Sequence, residues 1–275
     1  MGNLAGYKAV LDAFALLPRF SKNLITSAGS VPPAKTFVIG AGVAGLSAIG
    51  TARSLGSAVR ANDTREVVGE QIESMGAEFV PVPYKEDGAG AGGYAKAMSD
   101  AFNRAQLQLY EDEIPKADVV ISTAAIPGRP APKLITAESV RKMRPGSVIV
   151  DIAAMSGGNC ELTKKDQVFT DPQSGVTIIG WSNFAAKMAA QSSELYTANI
   201  GHLMAHAKGA GGWDSSMSQP DDTLGPAICT RDSLFVYKPA APPAAPPPAA
   251  KKEEPKKAEE KKAEPMSPAA DMALF

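Results

Sequence analysis

Short apolar, β-branched runs alternate along this chain with longer stretches whose apolar residues recur at helical spacing. Thr36 to Ile39, Ala58 to Asn62, Glu78 to Val82, Asp118 to Ser122 and Ser147 to Ile152 read as strands. Apolar runs this short suit parallel strands buried on both faces. Between and around them, five further stretches read as helices: Leu4 to Phe20 (Val10, Leu11, Phe14, Leu17), Glu66 to Met75, Ala95 to Asp112, Thr136 to Met143 and Phe184 to His206. Another helix should run from the glycines after Ile39 to about Leu55, with Gly56 as its stop and Gly76 stopping the one after it. Val31-Pro32-Pro33 closes the entry segment. Two more short strands lie near Val168 and at Val176 to Ile179, and Ala227 to Tyr237 reads as a small hairpin with turn residues Arg231 and Asp232. Regular strand–helix alternation predicts an α/β fold, a Rossmann-like doubly wound parallel sheet with helices on both faces.

The most informative stretch is Lys35 to Arg65. After the first strand, Gly40, Gly42 and Gly45 supply G-x-G-x-x-G, followed by a helix, a second strand and Asp63. Gly40 allows the tight turn, Gly42 lets a pyrophosphate approach the backbone, and Gly45 lets the helix pack on the sheet. The helix start offers free N–H groups and about half a positive charge to phosphates. Asp63 stands 18 residues after Gly45, close to the spacing of about 20 for the acid that binds the adenosine ribose. A glycine turn alone would be weak evidence; the full order of strand, glycines, helix, strand and acid predicts a bound dinucleotide. A carboxylate would repel the 2′-phosphate of NADP, so NAD is the expected cofactor. Arg60 and Arg65 lie near enough in sequence to temper that preference.

Further along, Gly88, Gly90, Gly92, Gly93 and Tyr94 form a stretch with little to order it. It reads equally as a solvent linker or as a mobile flap whose tip, Tyr94, closes over a cofactor. The loop Thr123 to Pro132 leaves the carboxyl end of a strand, which places Ala124, Ala125 and Ile126 toward a ligand. Asp151, at the end of another strand, reads first as a satisfied structural carboxylate and second as a group facing the nicotinamide. His202 and His206 share a helix face, but Leu203 stands where the zinc-protease motif needs Glu, and no metal is expected. Cys160 reads as a small loop residue, because no histidine lies near it to activate a nucleophile.

Composition narrows the classes. At 275 residues with a formal charge of −1, the chain has no overall basic field, and no nucleic-acid partner is expected. Two cysteines, Cys160 and Cys229, lie far apart and predict a reduced compartment without a disulfide framework. No apolar run approaches the roughly 18 residues of a membrane span, and no secretory signal is legible at the start. From Pro239 the chain turns to Pro, Ala, Lys and Glu, which cannot bury a core and predicts a disordered, solvated tail. The expected organisation is an entry helix over 1–30, an NAD-binding Rossmann domain over 31–183, a return helix and hairpin over 184–237, and a linker over 238–275.

Several runs together resemble a known family: NLAGY (Asn3 to Tyr7), VIGAGVAGL (Val38 to Leu46), DTR (Asp63 to Arg65), AGGYAK (Ala91 to Lys96), IPGRPAP (Ile126 to Pro132), PGSVIVDIA (Pro145 to Ala153) and GGNCELT (Gly157 to Thr163). They look like the NAD(H)-binding component of proton-translocating NAD(P) transhydrogenase, over about Asn3 to Ala207. PGSVIVDIA and the glycine motif alone would also suit alanine dehydrogenase, a relative of the same fold. The resemblance implies a division of labour in which this component holds NAD(H), a second holds NADP(H), and a membrane component conducts protons. Hydride would pass directly between the two nicotinamide rings, so no side chain need act as acid, base or nucleophile, and no catalytic residue is assigned. By the same resemblance, Val43 lies in the dinucleotide turn, and Asp63, Thr64 and Arg65 at the adenosine ribose. Gly93 and Tyr94 belong to a mobile loop, Gln106 follows it, and Ala125 lines the nicotinamide side. Also implied are a homodimer and a place on the peripheral face of a membrane, either the matrix side of the mitochondrial inner membrane or the cytoplasmic side of a bacterial one. The family's first domain would lie before NLAGY, and the tether stops before a membrane span. The chain is therefore expected to be the central part of a larger protein or of a split-gene subunit, able to bind NAD but not to transfer hydride alone. The alternatives are a soluble amino-acid dehydrogenase of the alanine type and a non-catalytic NAD-binding module.

Overall fold

A computed structural model describes residues 1–86, 98–125, 129–209, 224–225, 228–231 and 234–235. Its centre is a seven-stranded sheet built from β3 (Lys35–Ile39), β4 (Ala58–Asn62), β5 (Glu78–Phe79), β6 (Val119–Ser122), β7 (Val148–Asp151), β8 (Val168–Thr170) and β9 (Thr177–Ile179). The spatial order is β5-β4-β3-β6-β7-β9-β8, parallel throughout except that β8 runs antiparallel to β9. Strand order reverses between β3 and β6, which makes that junction the topological switch point, the place where doubly wound sheets hold their ligands. The predicted fold class is the one observed.

Residues alternate between the two faces, as the period of two demands. Val38, Val119, Ile121, Val148 and Val150 point to one face, packed by α1 (Gly2–Leu16), α2 (Val43–Ser54) and α3 (Gly69–Ser74). Phe37, Ile39, Val120, Ile149 and Ile178 point to the other, packed by α4 (Asp100–Glu113) and α5 (Ala137–Arg141). Burying these branched side chains on both sides contributes roughly 1.5–3 kcal/mol each and is what selects strands here over helix.

Several elements differ from the sequence reading. Helix α1 stops at Leu16 instead of Phe20, because Leu17 precedes Pro18 and takes an extended conformation (ψ 120°). Ala9, Val10 and Ala13 of α1 are fully buried. The Asn3–Tyr7 run owes its glycine to this packing, since a Cβ on Gly6 would fall 2.0 Å from the Ala44 carbonyl oxygen. An unexpected antiparallel hairpin, β1 (Leu24–Thr26) with β2 (Gly29–Val31), lies between α1 and β3. The stretch read as one helix from Glu66 divides into a 3-10 turn (Glu66–Val68) and α3, and β5 is shorter than its apolar run.

Beyond β9, a 3-10 turn (Ala185–Met188) leads to the long α6 (Ala189–Gly209). A last hairpin pairs β10 (Thr230–Arg231) with β11 (Leu234–Phe235), so Arg231, expected in the turn, belongs to a strand. Among the described residues no helix is long and apolar enough to cross a membrane. The tail from Pro239 lies outside them.

Candidate functional site

The strand register aligns the carboxyl ends of four strands in one row: Ile39 opposite Asn62 on one side and Ser122 on the other, and Ser122 opposite Asp151. Every residue of interest leaves the sheet from this row. Gly40 follows Ile39 with φ +89°, a conformation that favours glycine, and its N–H donates to the Asn62 carbonyl at 2.8 Å. A Cβ on Gly40 would meet Thr123 Oγ1 at 2.6 Å, and one on Gly45 would meet the Gly40 carbonyl oxygen at 1.9 Å. Both glycines are required by the fold itself.

Gly42 differs. It caps α2 with φ −73° and ψ −168°, and a Cβ there would meet nothing within 4 Å. The space in front of it is open. Helix α2 also starts without a side-chain cap and without an acidic residue in its first turn. Its leading N–H groups and positive dipole end therefore face that space. Val43, the first helical residue, is exposed beside it. An uncapped helix start behind an open glycine fits a pyrophosphate, which is the test the residues must pass for a dinucleotide.

Asp63 closes the cradle on the β4 side. Its Oδ2 accepts from the Ala41 N–H at 2.8 Å, which ties the acid to the glycine turn. Oδ1 accepts from the Arg65 N–H at 2.8 Å and from Arg65 Nε at 2.9 Å, while Arg65 Nη2 reaches Oδ2 at 3.0 Å. Hydrogen bonding to Asp63 holds the Arg65 guanidinium above its already high basicity. Thr64, half-buried, sits between them. The carboxylate thus accepts four hydrogen bonds, its ordinary capacity. A ribose hydroxyl reaching Asp63 has to displace part of the Arg65 fork.

Arg60, weighed above as a partner for a 2′-phosphate, is engaged elsewhere. It pairs with Glu113 and with Glu78 at 2.8 Å, and it lines a cavity with Lys35 and Ala58 at the amino ends of the strands. Arg65 is the remaining arginine at the acid. Gln106 is buried on α4, one turn before Tyr110. Tyr110 donates to Asn62 Oδ1 at 2.7 Å, and Asn62 Nδ2 donates to the Val80 carbonyl at 2.6 Å. Burial, and then the charge of Asp63, push the Tyr110 phenol up, so it stays a neutral donor.

On the β6 side, Thr123 Oγ1 donates toward the carbonyls of Ile39 and Gly40, both at 3.2 Å, and Ala125 is exposed. Gly93, Tyr94 and Ile126 lie outside the described residues. Asp151 is fully buried and accepts from the N–H groups of Ala153 and Cys160, both at 3.0 Å, and from Thr163 Oγ1 at 2.6 Å. It is the satisfied structural carboxylate of the two readings. Cys160 is buried, and burial pushes its thiol up to about 11, the reverse of what a nucleophile needs.

Sequence reasoning missed Asn159, Thr123 and the Asn62–Tyr110 pair, all of which secure this row. Their partners lie 27 to 84 positions away. In the sequence the Gly157-Gly158 pair signalled only a turn before Asn159, and both glycines do take positive φ.

Fold and cradle together define a dinucleotide-binding domain of the Rossmann type. A family model described as "Alanine dehydrogenase/PNT, C-terminal domain" matches residues 9–238, and the chain belongs to that family. It is 52% identical over 204 residues to the NAD(P) transhydrogenase subunit alpha of Haemophilus influenzae, covering 74% of this chain and 40% of that one. To the same subunit of Cereibacter sphaeroides it is 48% identical over 241 residues, covering 87% and 46%. Among solved structures, the transhydrogenase from Sinorhizobium meliloti superposes with a TM-score of 0.64 at 44% identity, over 74% of this chain and 54% of that one. The chain spans less than half the length of these two subunit relatives.

Proposed function

We propose that this chain is the NAD(H)-binding part of a proton-translocating NAD(P) transhydrogenase, which passes hydride between NADH and NADP+ coupled to proton movement across a membrane. The observation that carries the reading is the open, uncapped start of α2 in front of Gly42 with Asp63 tied to the same turn through the Ala41 N–H. The similarity to transhydrogenase alpha subunits supports the reaction class. When bound, NAD(H) supplies the hydride.

The chain's own residues bind and orient. Val43, Ala44 and Gly45 present N–H groups to the pyrophosphate, and Gly42 leaves it room. Asp63 accepts from the adenosine ribose as Arg65 shifts, and Thr64 and Arg65 flank the same sugar. Tyr110 holds Asn62 and so the end of β4, and Gln106 lies one turn before Tyr110 on α4. Across the switch point, Ala125 borders the nicotinamide half, and Gly93 and Tyr94, which lie outside the described residues, are assigned to a loop that closes over the cofactor. This reading assigns no proton donor or nucleophile: among the described residues Asp151 is held by three hydrogen bonds and Cys160 is a neutral thiol. Catalysis in this reading is positioning and exclusion of water.

The chemistry needs an NADP(H)-binding domain and a membrane proton-channel domain as partners. In this reading the component works as a homodimer at the membrane face, on the matrix or bacterial cytoplasmic side. The test is reconstitution: the chain mixed with NADP-binding and membrane components should support NADH-dependent reduction of an NADP+ analogue. NADH oxidation driven by a keto acid, with no need for those components, would move the assignment to the alanine dehydrogenase branch of the family. NADH binding without activity in either mixture would leave a binding module.

A further inference from the structure

The loop that leaves β6 is held at both ends by one side chain. Asn159 is fully buried, and its Nδ2 donates to the Ala124 carbonyl at 2.8 Å and to the Pro132 carbonyl at 2.9 Å. Its Oδ1 accepts from Ser122 Oγ at 2.6 Å, on the last residue of β6. Both amide hydrogens and the amide oxygen are thus committed. Two carbonyl partners fix which end of the amide is nitrogen, and no carboxylate could replace it, since it would face two acceptors. The Asn159 main-chain carbonyl also accepts from the N–H groups of Leu134 and Ile135, at 2.9 and 3.1 Å.

Asn159 is itself anchored. The neighbouring Cys160 N–H donates to Asp151, whose carboxylate also holds Ala153 and Thr163. Asp151 therefore fixes the 153–163 segment to the end of β7, and Asn159 projects from that segment into the mouth of the loop. The result is two nested clamps between neighbouring strand ends. The second half of a doubly wound sheet carries the half of the dinucleotide away from the adenosine acid. Here that half begins at β6.

We infer that Asn159 is the positioning residue of the nicotinamide side: it holds the Ala124 and Pro132 carbonyls beside the end of β6, and Asp151 secures it. The inference rests on the dinucleotide reading of the preceding section. None of the clamp's bonds reaches Asp63, which is tied to Ala41 and Arg65 instead; the glycine turn is met only by Thr123, at the Ile39 and Gly40 carbonyls. Loosening Asn159 should therefore harm one half of the ligand's site and spare the other.

The test compares NADH with ADP-ribose, which keeps the adenosine, both riboses and the pyrophosphate but lacks the nicotinamide. Both are titrated calorimetrically into the full chain. The unaltered chain should bind NADH more tightly than ADP-ribose. In Asn159→Ala, NADH should bind about tenfold more weakly, the scale of losing one well-placed buried contact, and ADP-ribose within about twofold of before. Ser122→Ala removes one of the three bonds and leaves the loop ends held, so it guards against misfolding. It should weaken NADH about two- to threefold in the same selective way. Equal weakening of both ligands, or of neither, would overturn the inference while leaving the dinucleotide reading intact. So would an unaltered chain that holds NADH no better than ADP-ribose. Binding of neither ligand by the unaltered chain would instead remove the dinucleotide reading, and the inference with it.

Discussion

The two halves of the carboxyl edge are built by different rules. On the β3–β4 side the cradle comes from one contiguous stretch: Gly40, Gly42 and Gly45 in a turn, and Asp63 one strand later, tied to Ala41 at 2.8 Å. On the β6–β7 side the surface is assembled from residues 35 and 37 positions apart, with Asn159 reaching Ala124 and Ser122. The first half is specified by backbone geometry, where a glycine is needed for φ or for clearance. The second is specified by hydrogen-bonding capacity, where one buried amide meets three partners. Backbone requirements leave a motif in the sequence; a distant partner leaves none.

The largest expected effect separates glycines within the motif. Gly45→Ala forces a Cβ to 1.9 Å from the Gly40 carbonyl oxygen, so the turn or α2 must move. Overpacking against backbone of this severity should cost about 3 kcal/mol of stability in a denaturant titration. An unchanged midpoint would mean that α2 is not seated on the turn as described. Next, Asp63→Ala should weaken NADH binding by about 1–3 kcal/mol, the scale for losing a charged acceptor. Unaltered affinity would remove its ribose role and leave it as a clamp on Ala41 and Arg65.

Gly42→Ala sharpens the contrast from the other direction. Its Cβ meets nothing, so stability should stay within about 0.5 kcal/mol. NADH should bind about tenfold more weakly as the methyl enters the pyrophosphate's space. Loss of stability instead of affinity would make Gly42 a structural glycine like Gly45. The smallest effect concerns Cys160. Because burial raises its thiol to about 11, the folded state holds that proton more tightly than the unfolded chain does. Its contribution is complete below the unfolded thiol's range, about 8.5, and is lost as pH climbs toward 11. Thermal melts should fall over that window in the unaltered chain and fall less in Cys160→Ala. At pH 8 a thiol reagent should titrate the exposed Cys229 well before Cys160.

The sheet was legible in the sequence because burial on both faces demands apolar runs such as Val119–Ile121 and Val148–Val150, and helices between them leave their own period. Element ends were less so. Pro18 cut α1 short, and the Leu24–Val31 hairpin carries too little apolar alternation to announce itself. In the site, the glycine turn and Asp63 were readable, and Asp151 was read correctly as structural in its first sense. Arg60 was not, because its pairing with Glu113 spans 53 positions. Nor was the saturation of Asp63 by Arg65, although only two residues separate them: spacing tells which groups are near, not which lone pairs are filled.

That saturation makes cofactor choice the most direct test of the account. The chain should be titrated calorimetrically with NADH and, in parallel, NADPH. If Asp63 meets the ribose, NADH should bind at least about tenfold more tightly, because a 2′-phosphate cannot approach the carboxylate without like-charge repulsion. A preference for NADPH would mean that Arg65 turns outward to hold the phosphate, and the assignment of this chain to the NAD(H) side would be reversed.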